Sequence, residues 1–343
     1  KLENIPSSWE GTYPSREQKF FPGSYGRVDS TGSLCSLEDF SALITLWPTR
    51  PGTSEQTLIS HQDSTSGWSL FLDDEGCLAA ELGKAGDTRK FRLEGSLRER
   101  KWYQAWLTYD AQTSKLTLGK EILDPGLKSE DQTGSSSDYA FESVSQEIPF
   151  LIGAQFSGPI DSHFNGKLEE PKIFSRSLNQ QEIEQAFSGK IPDGLLARWD
   201  FSREIPTSRM IDLGPENLEG SLVNCPARGM TGSNWKGKEM CWRHAPEDYG
   251  AIHFHEDDIY DFGWETDFTI HLGEDLQSGI YAVKLECEGN EDFIPLFVLP
   301  ARGKRKADLC VLVSTFTYTV YGNHARPDFK APWRERIRDW NAY

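Results

Sequence analysis

The chain has 343 residues, which is enough for two or three domains with substantial cores. Its formal net charge of −17 argues against nucleic-acid and anionic-membrane partners, because phosphate groups are bound by basic surfaces. No apolar run approaches the roughly 20 residues that a membrane-spanning helix needs, so the sequence excludes such a helix.

The cysteines bear on the cellular compartment. Six are present, and no two have the C-x-x-C spacing of zinc ribbons and thioredoxin motifs. Cys287 and Cys310 lie in apolar, strand-like runs, where a reduced cysteine acts as a small hydrophobic residue. We therefore expect a reduced, cytoplasmic protein. A bridge between Cys225 and Cys241 is the alternative in an oxidising compartment.

The first 190 residues predict an extended arm followed by a β-sandwich. Residues 1–34 are rich in Pro, Gly and Ser, and we expect this arm to pack on another part of the molecule. From residue 35, short strand-like segments bounded by Gly, Asp, Ser or Pro recur at close intervals, as is typical of all-β sandwiches. Two hairpins are predicted within it, at residues 70–79 and 106–118.

The end of this sandwich, FNGKLEEPKIFSRSLNQQEIEQAFSG at 164–189, predicts a strand over 167–174 and a short helix over 182–187. Ser177 or Asn179 can cap that helix. The segment resembles the closing segment of laminin-G/concanavalin-like jelly rolls. The resemblance implies that residues 35–190 form a jelly roll.

A non-catalytic role is the alternative function. Jelly rolls of this type bind sugars or calcium in some proteins and only pack in others. Packing in the sandwich core is the interpretation that we favour for the tryptophans of this region, although they are also candidates for a sugar platform: Trp47, Trp68, Trp102 and Trp106. The chain would then be a carbohydrate- or partner-binding scaffold.

Residues 195–300 predict a second β-sandwich, of immunoglobulin-like type. The clearest alternation of side chains in the chain runs over residues 249–256 and indicates a strand. Strand-like runs follow at 280–287 and 292–300, after a Gln-Ser-Gly turn.

The alternating stretch also contains the pattern His253-Phe254-His255-Glu256. Two imidazoles on one face of a strand, followed by a carboxylate, are a common arrangement of metal ligands. A hydrolase with its metal at these residues is therefore a third hypothesis. We favour the interpretation that both histidines line a polar strand face or a domain interface, because short H-x-H strings are frequent without metal.

An α/β domain is predicted to begin near residue 307. Residues 309–313 form a continuous apolar run, typical of a strand buried on both faces of a parallel sheet. Tyr318 and Tyr321 follow it, and then a Gly-Asn-His turn. Ligands bind beyond the carboxyl ends of such strands. Residues 307–343 thus predict the first strand of an incomplete α/β domain behind a mainly β platform.

Residues 249–300 resemble the large (beta) subunit of the N,N-dimethylformamidase family. The resemblance lies in AIHFHEDD, DFGWETDF, the L-x-S-G-x-Y-A turn and strand, and the FVLP exit, and TYTVYGN follows as expected. The order of parts agrees over essentially the whole chain. The resemblance implies the N-terminal portion of that subunit, ending at the start of a domain related to glutamine amidotransferases, and an enzyme that hydrolyses N,N-dimethylformamide to dimethylamine and formate.

The resemblance also implies a mononuclear iron held by two tyrosines and one glutamate. Phenolate is a hard donor suited to ferric iron. Tyr321 is the first candidate for one tyrosine ligand and Tyr318 the second, while Asn323 and His324 are candidates for groups beside the metal or substrate. The other tyrosine and the glutamate are expected beyond this chain.

The implied partners follow from the same resemblance. They are a small amide substrate, a small subunit and the remainder of the large subunit, assembled as a hetero-oligomer. No nucleic acid and no membrane is expected. The identity of the amide stays open, because the walls of the substrate pocket are expected mostly outside this chain.

Overall fold

The computed structural model describes residues 23–256, 265–273, 275–300, 303, 307–315 and 317–318. The chain divides into two units, residues 1–262 and 263–343, and each is treated by itself. In the described part of the chain, no helix has the length and apolar character needed to cross a membrane.

Residues 23–190 contain the strands and the helix of the predicted jelly roll. Their bounds are β1 Tyr25–Val28, β2 Phe40–Pro48, β3 Gln56–Gln62, β4 Gly67–Leu72, β5 Leu78–Lys84, β6 Asp87–Arg92, β7 Tyr103–Asp110, β8 Lys115–Ile122, β9 Gln132–Ser136, β10 Phe150–Ile152, β11 Gln155–Phe156, β12 Ile160–Asp161, β13 Gly166–Phe174 and α1 Gln180–Phe187. Both predicted hairpins are confirmed, as β4–β5 and β7–β8.

The later strands fall into two groups. Their bounds are β14 Leu195–Asp200, β15 Arg209–Asp212, β16 Gly220–Val223, β17 Ala227–Met230 and β18 Ala251–Phe254 in the first unit, and β19 Gly279–Cys287 and β20 Asn290–Val298 in the second. Three 3₁₀ turns, Gly32–Ser36, Pro125–Glu130 and Pro246–Tyr249, connect strands of the first unit.

The main sheet is antiparallel and folds back on itself. Its order is β6-β5-β4-β3-β10-β1-β16-β15-β14-β13-β2-β7-β8-β9, and β18 also pairs with β13 and β17. Phe40 of β2 and Trp68 of β4 are far apart in this order, yet their ring centroids lie 4.9 Å apart in the core. The two halves of the sheet therefore face each other and enclose one apolar core, as in a β-sandwich. The mainly β class is confirmed.

The sheet does not stop at the predicted boundary near residue 190. Strand β14 pairs with β13, and β16 pairs with β1 with Tyr25 opposite Val223. Residues 195–256 thus complete the first sandwich, rather than opening the separate immunoglobulin-like domain predicted for 195–300. Alternation of apolar and polar residues indicates that a strand has one buried face, but it does not indicate which strand lies beside it.

The predicted N-terminal arm also differs in part. Residues 1–22 lie outside the described residues. Within the rest of the arm, β1 is a strand of the main sheet between β10 and β16. Val28 of β1 is fully buried in the core. A strand of only four residues leaves little periodicity in the sequence, which explains why its pattern indicated an arm.

Helix α1 begins as the sequence predicts. The Asn179 side chain accepts a hydrogen bond from the Glu182 N–H, and the Glu182 carboxylate accepts one from the Asn179 N–H, which forms a capping box. Both carboxylate oxygens of Glu182 also bind the Arg176 guanidinium. The helix buries Ile183 and Ala186 in a second apolar cluster on the outer face of the sheet.

The strand predicted at 309–313 is not formed. Residues 309–314 have no regular secondary structure, and Leu309, Val311 and Leu312 are exposed, Leu312 at 93% of its surface. A strand in a parallel sheet requires a neighbouring strand for its hydrogen bonds and helices on both faces. The described residues offer this segment neither.

Arg228 of β17 holds the loop between β14 and β15. Its guanidinium lies at the centre of that loop and points all of its terminal N–H groups at backbone oxygens. It donates hydrogen bonds of 2.7–3.2 Å to the carbonyls of Phe201, Arg203, Glu204, Thr207 and Arg209. Burial lowers the pKa of the Arg228 guanidinium from its usual value. One side chain therefore replaces the secondary structure that would otherwise pair these carbonyls.

Stability is expected to fall between pH 7 and pH 4 because of His61. Its ring is buried and its Nε2 lies 3.2 Å from the Ile148 carbonyl, and burial lowers its pKa from 6.5 to about 4. Between those values the unfolded chain binds a proton that the folded chain does not, so acidification favours unfolding by up to about 3 kcal/mol.

This pH effect is checked by urea unfolding at pH 7 and pH 4.5. His61→Gln is expected to reduce the difference between the two free energies of unfolding. The exposed His244, replaced by Gln, is the control and is expected to leave the difference unchanged. Equal pH dependence in the wild type and in His61→Gln would contradict the assignment.

Candidate functional site

Tyr318 is the predicted ligand that the structure describes. It belongs to a helical turn that includes residues 315, 317 and 318, and not to an extended strand. Its ring packs edge-on against Phe297 of β20, with centroids 5.2 Å apart and planes at 73°. Its side chain is about half exposed. Tyr321, Asn323 and His324 lie outside the described residues.

The turn is fixed by its own polar groups. The Thr317 N–H donates to the Ser314 carbonyl at 3.1 Å, and the Ser314 and Thr317 hydroxyls lie 3.0 Å apart. Helical geometry replaces the alternation predicted for this segment, so strand parity does not decide between Tyr318 and Tyr321. The order of these two candidates stays a prediction.

The described residues do not contain a complete set of metal ligands of the His, Cys, Asp or Glu type. Among them, no group of three or more His, Cys, Asp or Glu side chains is arranged to hold a metal ion. Tyr318 offers a hard phenol oxygen on a partly exposed ring, which fits one position of an iron site. The described part of the chain therefore supplies one candidate ligand and not a complete site.

The His253-x-His255 pattern lies at the junction of three strands. In β18, His253 is opposite Lys167 of β13 and Ala227 of β17. Beyond β18, the His255 carbonyl accepts a 2.8 Å hydrogen bond from the N–H of Ser24. A polar strand face between neighbouring strands agrees with the interpretation favoured above. Asp257 and Asp258, which follow the pattern, lie outside the described residues.

His163 is a buried residue near this junction that the sequence did not single out. Only 4% of its surface is exposed, and its ring lies 5.8 Å from that of Tyr25. Neither ring nitrogen has a hydrogen-bond partner by distance and angle among the described residues. Burial lowers the pKa of His163, although the nearby Ser24 backbone and the Asp161 carboxylate act in the opposite direction. The ring is therefore neutral at pH 7.

Two charged side chains of β13 fasten the segment 231–233 to the jelly roll. The Lys167 ammonium donates to both the carbonyl and the hydroxyl of Thr231, at 3.1 and 2.8 Å. The Glu169 carboxylate accepts a 3.0 Å hydrogen bond from the Ser233 N–H, and burial raises the pKa of Glu169. Their spacing of two residues puts both on one face of the strand.

A buried ion pair follows directly along β13. Glu170 has a positive φ of 47°, and the register with β2 shifts there, so the strand bulges. The Lys172 ammonium, almost fully buried, lies 2.8 Å from the Glu170 carboxylate, which also binds Arg198. Burial lowers the pKa of Lys172. The pair is a structural feature of the junction between β13 and β14.

The tryptophans divide between core and surface. Trp68 and Trp106 are buried, as the packing interpretation predicts. Trp47 and Trp102 are partly exposed and form a pair, and the Lys167 ammonium lies 4.8 and 5.8 Å from their ring centroids. The same ammonium is bound to Thr231, so this aromatic surface already carries an internal cation.

Known proteins are similar to both parts of this chain. Residues 22–184 match the concanavalin A-like lectin/glucanases superfamily, which confirms the predicted jelly roll. Residues 227–343 match the family described as N,N-dimethylformamidase beta subunit-like, C-terminal. The N,N-dimethylformamidase beta subunit of Paracoccus aminophilus is 35% identical across 94% of this chain. The chain belongs to this beta-subunit family.

A second relative gives the same alignment. The N,N-dimethylformamidase beta subunit of an Alcaligenes species is 34% identical across 94% of this chain. In both cases the match covers 46% of the relative, so the chain spans about half the length of the curated relatives it matches. Strands β17 and β18 lie in the matched beta-subunit region; they pair with each other, and β18 also pairs with β13 of the jelly roll.

Solved structures add a weaker likeness. The sialidase carbohydrate-binding module CBM40 of Ruminococcus gnavus, bound to alpha2,3 sialyllactose, is 17% identical and covers 48% of this chain and 93% of its own, with a TM-score of 0.40. A score of this size does not establish a shared fold, and sugar binding by this chain does not follow from it.

Proposed function

We propose that this chain is the N-terminal part of the large subunit of an amide hydrolase of the N,N-dimethylformamidase type. The enzyme cleaves a small N-substituted formamide to formate and an amine in the cytoplasm. The observation that carries the proposal is the 35% identity to a beta subunit of that name across 94% of this chain. The remainder of the large subunit and a small subunit complete the enzyme as a hetero-oligomer.

The role proposed for this chain is to supply one iron ligand. Either Tyr321 or Tyr318 supplies a phenolate. Asn323 and His324 follow shortly after Tyr321 in the sequence and orient the metal ligand or the substrate. Support comes from Tyr318, which is held by Phe297 and leaves about half of its surface accessible. A bound ferric ion would polarise the amide carbonyl as a Lewis acid.

The test uses the complete assembly, purified with every polypeptide that copurifies with this chain. Formate release from N,N-dimethylformamide and iron per assembly are measured together. We expect iron in the preparation, and amide hydrolysis that is lost on removal of iron and returns when ferrous or ferric salt is restored. Absence of both iron and hydrolysis in the intact assembly would contradict the proposal.

A further inference from the structure

A polar cleft lies in the jelly roll, beside the loops that follow β6 and β8. Its volume is about 510 Å³, which falls within the range typical of small-molecule sites. All of its lining residues except Gly95 have polar or charged side chains, and they include Ser96, Ser129 and Gln132. The cleft is therefore suited to a polar molecule and not to an apolar one.

Lys120 lines this cleft from the side of β8 that faces the sandwich core. Leu116, Leu118 and Ile122 share this face by alternation and are fully buried, and only 4% of the surface of Lys120 is exposed. Burial lowers the pKa of the Lys120 ammonium from its usual value. Lysine is rarely buried to this degree unless its charge is paired. A cation thus occupies a position that hydrophobic burial alone would give to an apolar residue.

Two backbone carbonyls hold the Lys120 ammonium at the cleft. It donates hydrogen bonds to the Glu94 carbonyl at 2.9 Å and to the Gly95 carbonyl at 2.5 Å. An ammonium has three donors, so one remains for a group that enters the cleft. Among the residues that the structure describes, no carboxylate lies within ion-pair distance of this ammonium. The buried charge therefore has no anion of its own, and burying a charge without one is costly.

The charges around Lys120 favour an anion at this end of the cleft. Glu130 is the lining carboxylate that acts on the pKa of Lys120, which it raises. The Arg98 guanidinium already binds Glu130, with nitrogen–oxygen distances of 2.6 and 2.8 Å. Asp131, another lining carboxylate, lies 3.4 Å from the Lys128 ammonium. Lys120 and Arg98 set against Glu130 leave an excess of one positive charge here, although the whole chain carries −17.

We propose that this cleft binds a polar organic acid, with the carboxylate of the acid on the Lys120 ammonium. The carboxylate completes the hydrogen bonding of the ammonium and supplies its missing counter-charge. Ser96, Ser129 and Gln132 have side chains that both donate and accept hydrogen bonds, so they suit the hydroxyl groups of such a ligand. The site belongs to the jelly roll and does not depend on the proposed amide hydrolysis.

The experiment measures the binding of three probes to the 343-residue chain by isothermal titration calorimetry. Gluconate has a carboxylate and hydroxyl groups, sorbitol has the hydroxyl groups without the charge, and acetate has the charge without the hydroxyl groups. We expect gluconate to bind more tightly than either, and to protect residues 94–98 and 129–132 from amide hydrogen exchange. Lys120→Met keeps the length of the side chain and removes its charge, so it is expected to weaken gluconate binding by on the order of tenfold or more.

Lys115→Met is the matched control, because Lys115 lies on the same strand but is exposed and outside the cleft. It is expected to leave the affinity for gluconate unchanged. Ser129→Ala changes an exposed side chain and leaves the buried charge in place. It is expected to weaken gluconate binding and to leave acetate binding unchanged.

Three results would overturn the proposal: no binding of gluconate, equal affinities for gluconate and sorbitol, or an unchanged affinity in a folded Lys120→Met variant. Circular dichroism establishes whether each variant is folded. Should Lys120→Met not fold, the comparison of the three probes on the wild type and on Ser129→Ala decides. Equal affinities for gluconate and acetate would reject the organic acid in favour of a simple oxyanion site.

Discussion

Replacing Tyr321 with phenylalanine in the complete assembly is expected to remove its iron and to lower kcat/KM for N,N-dimethylformamide by on the order of 100-fold or more. Phenylalanine keeps the ring but lacks the oxygen that would bind the metal. If Tyr318 is the ligand, Tyr318→Phe gives this result and Tyr321→Phe does not. Iron per assembly and formate release, measured on both variants, decide between the two.

Tyr281 provides a matched control in the same unit. Its hydroxyl donates a 2.8 Å hydrogen bond to the Gln277 carbonyl, and no ligand role is proposed for it. Tyr281→Phe is expected to retain iron, because it removes a phenol of the same kind at a different place. If Tyr318→Phe and Tyr321→Phe both retained full iron and activity, this chain would supply no tyrosine ligand.

The fold could be predicted where its signals are local. The hairpins at 70–79 and 106–118 and the capped helix after Asn179 follow from turn residues, alternation and a capping box, each contained in a short stretch. The placement of β14–β18 could not be predicted, because β13 and β18 are separated by many residues and pair only in the folded sheet. The strand predicted at 309–313 is not formed for a related reason. Its apolar pattern is typical of a strand with neighbouring strands and covering helices, and the described residues do not supply these to it.

Part of the candidate site could be predicted, and the resemblance to a known family contributed more than local sequence patterns did. Motifs in 249–300 indicate the beta-subunit family, and the comparisons confirm it. The contacts between Lys167 and Thr231 and between Glu169 and Ser233 join residues 64 apart in sequence. No periodicity of the sequence predicts such contacts. The burial of His163 beside Tyr25 is of the same kind. Such contacts depend on which strands become neighbours.

Arg228→Met is expected to lower the free energy of unfolding by about 3 kcal/mol, because it removes all the hydrogen bonds of a largely buried guanidinium. The guanidinium donates to five carbonyls of one loop. Hydrogen bonds to charged groups are stronger than neutral ones, and carbonyls left without a donor retain their desolvation cost. Methionine preserves much of the side-chain volume and none of the donors.

Arg228→Lys separates charge from geometry. A single ammonium has three donors and no planar fork, so it satisfies fewer of the five carbonyls. We therefore expect Arg228→Lys to have a free energy of unfolding between those of the wild type and Arg228→Met. The control is Arg209→Met, whose ion pairs with Glu204 and Glu219 lie at the surface, where water screens them, so we expect a smaller loss. Urea unfolding of the three variants orders them. Equal losses for Arg228→Met and Arg209→Met would mean that water replaces the guanidinium without cost, and the loop would then owe its conformation to the strands at its two ends.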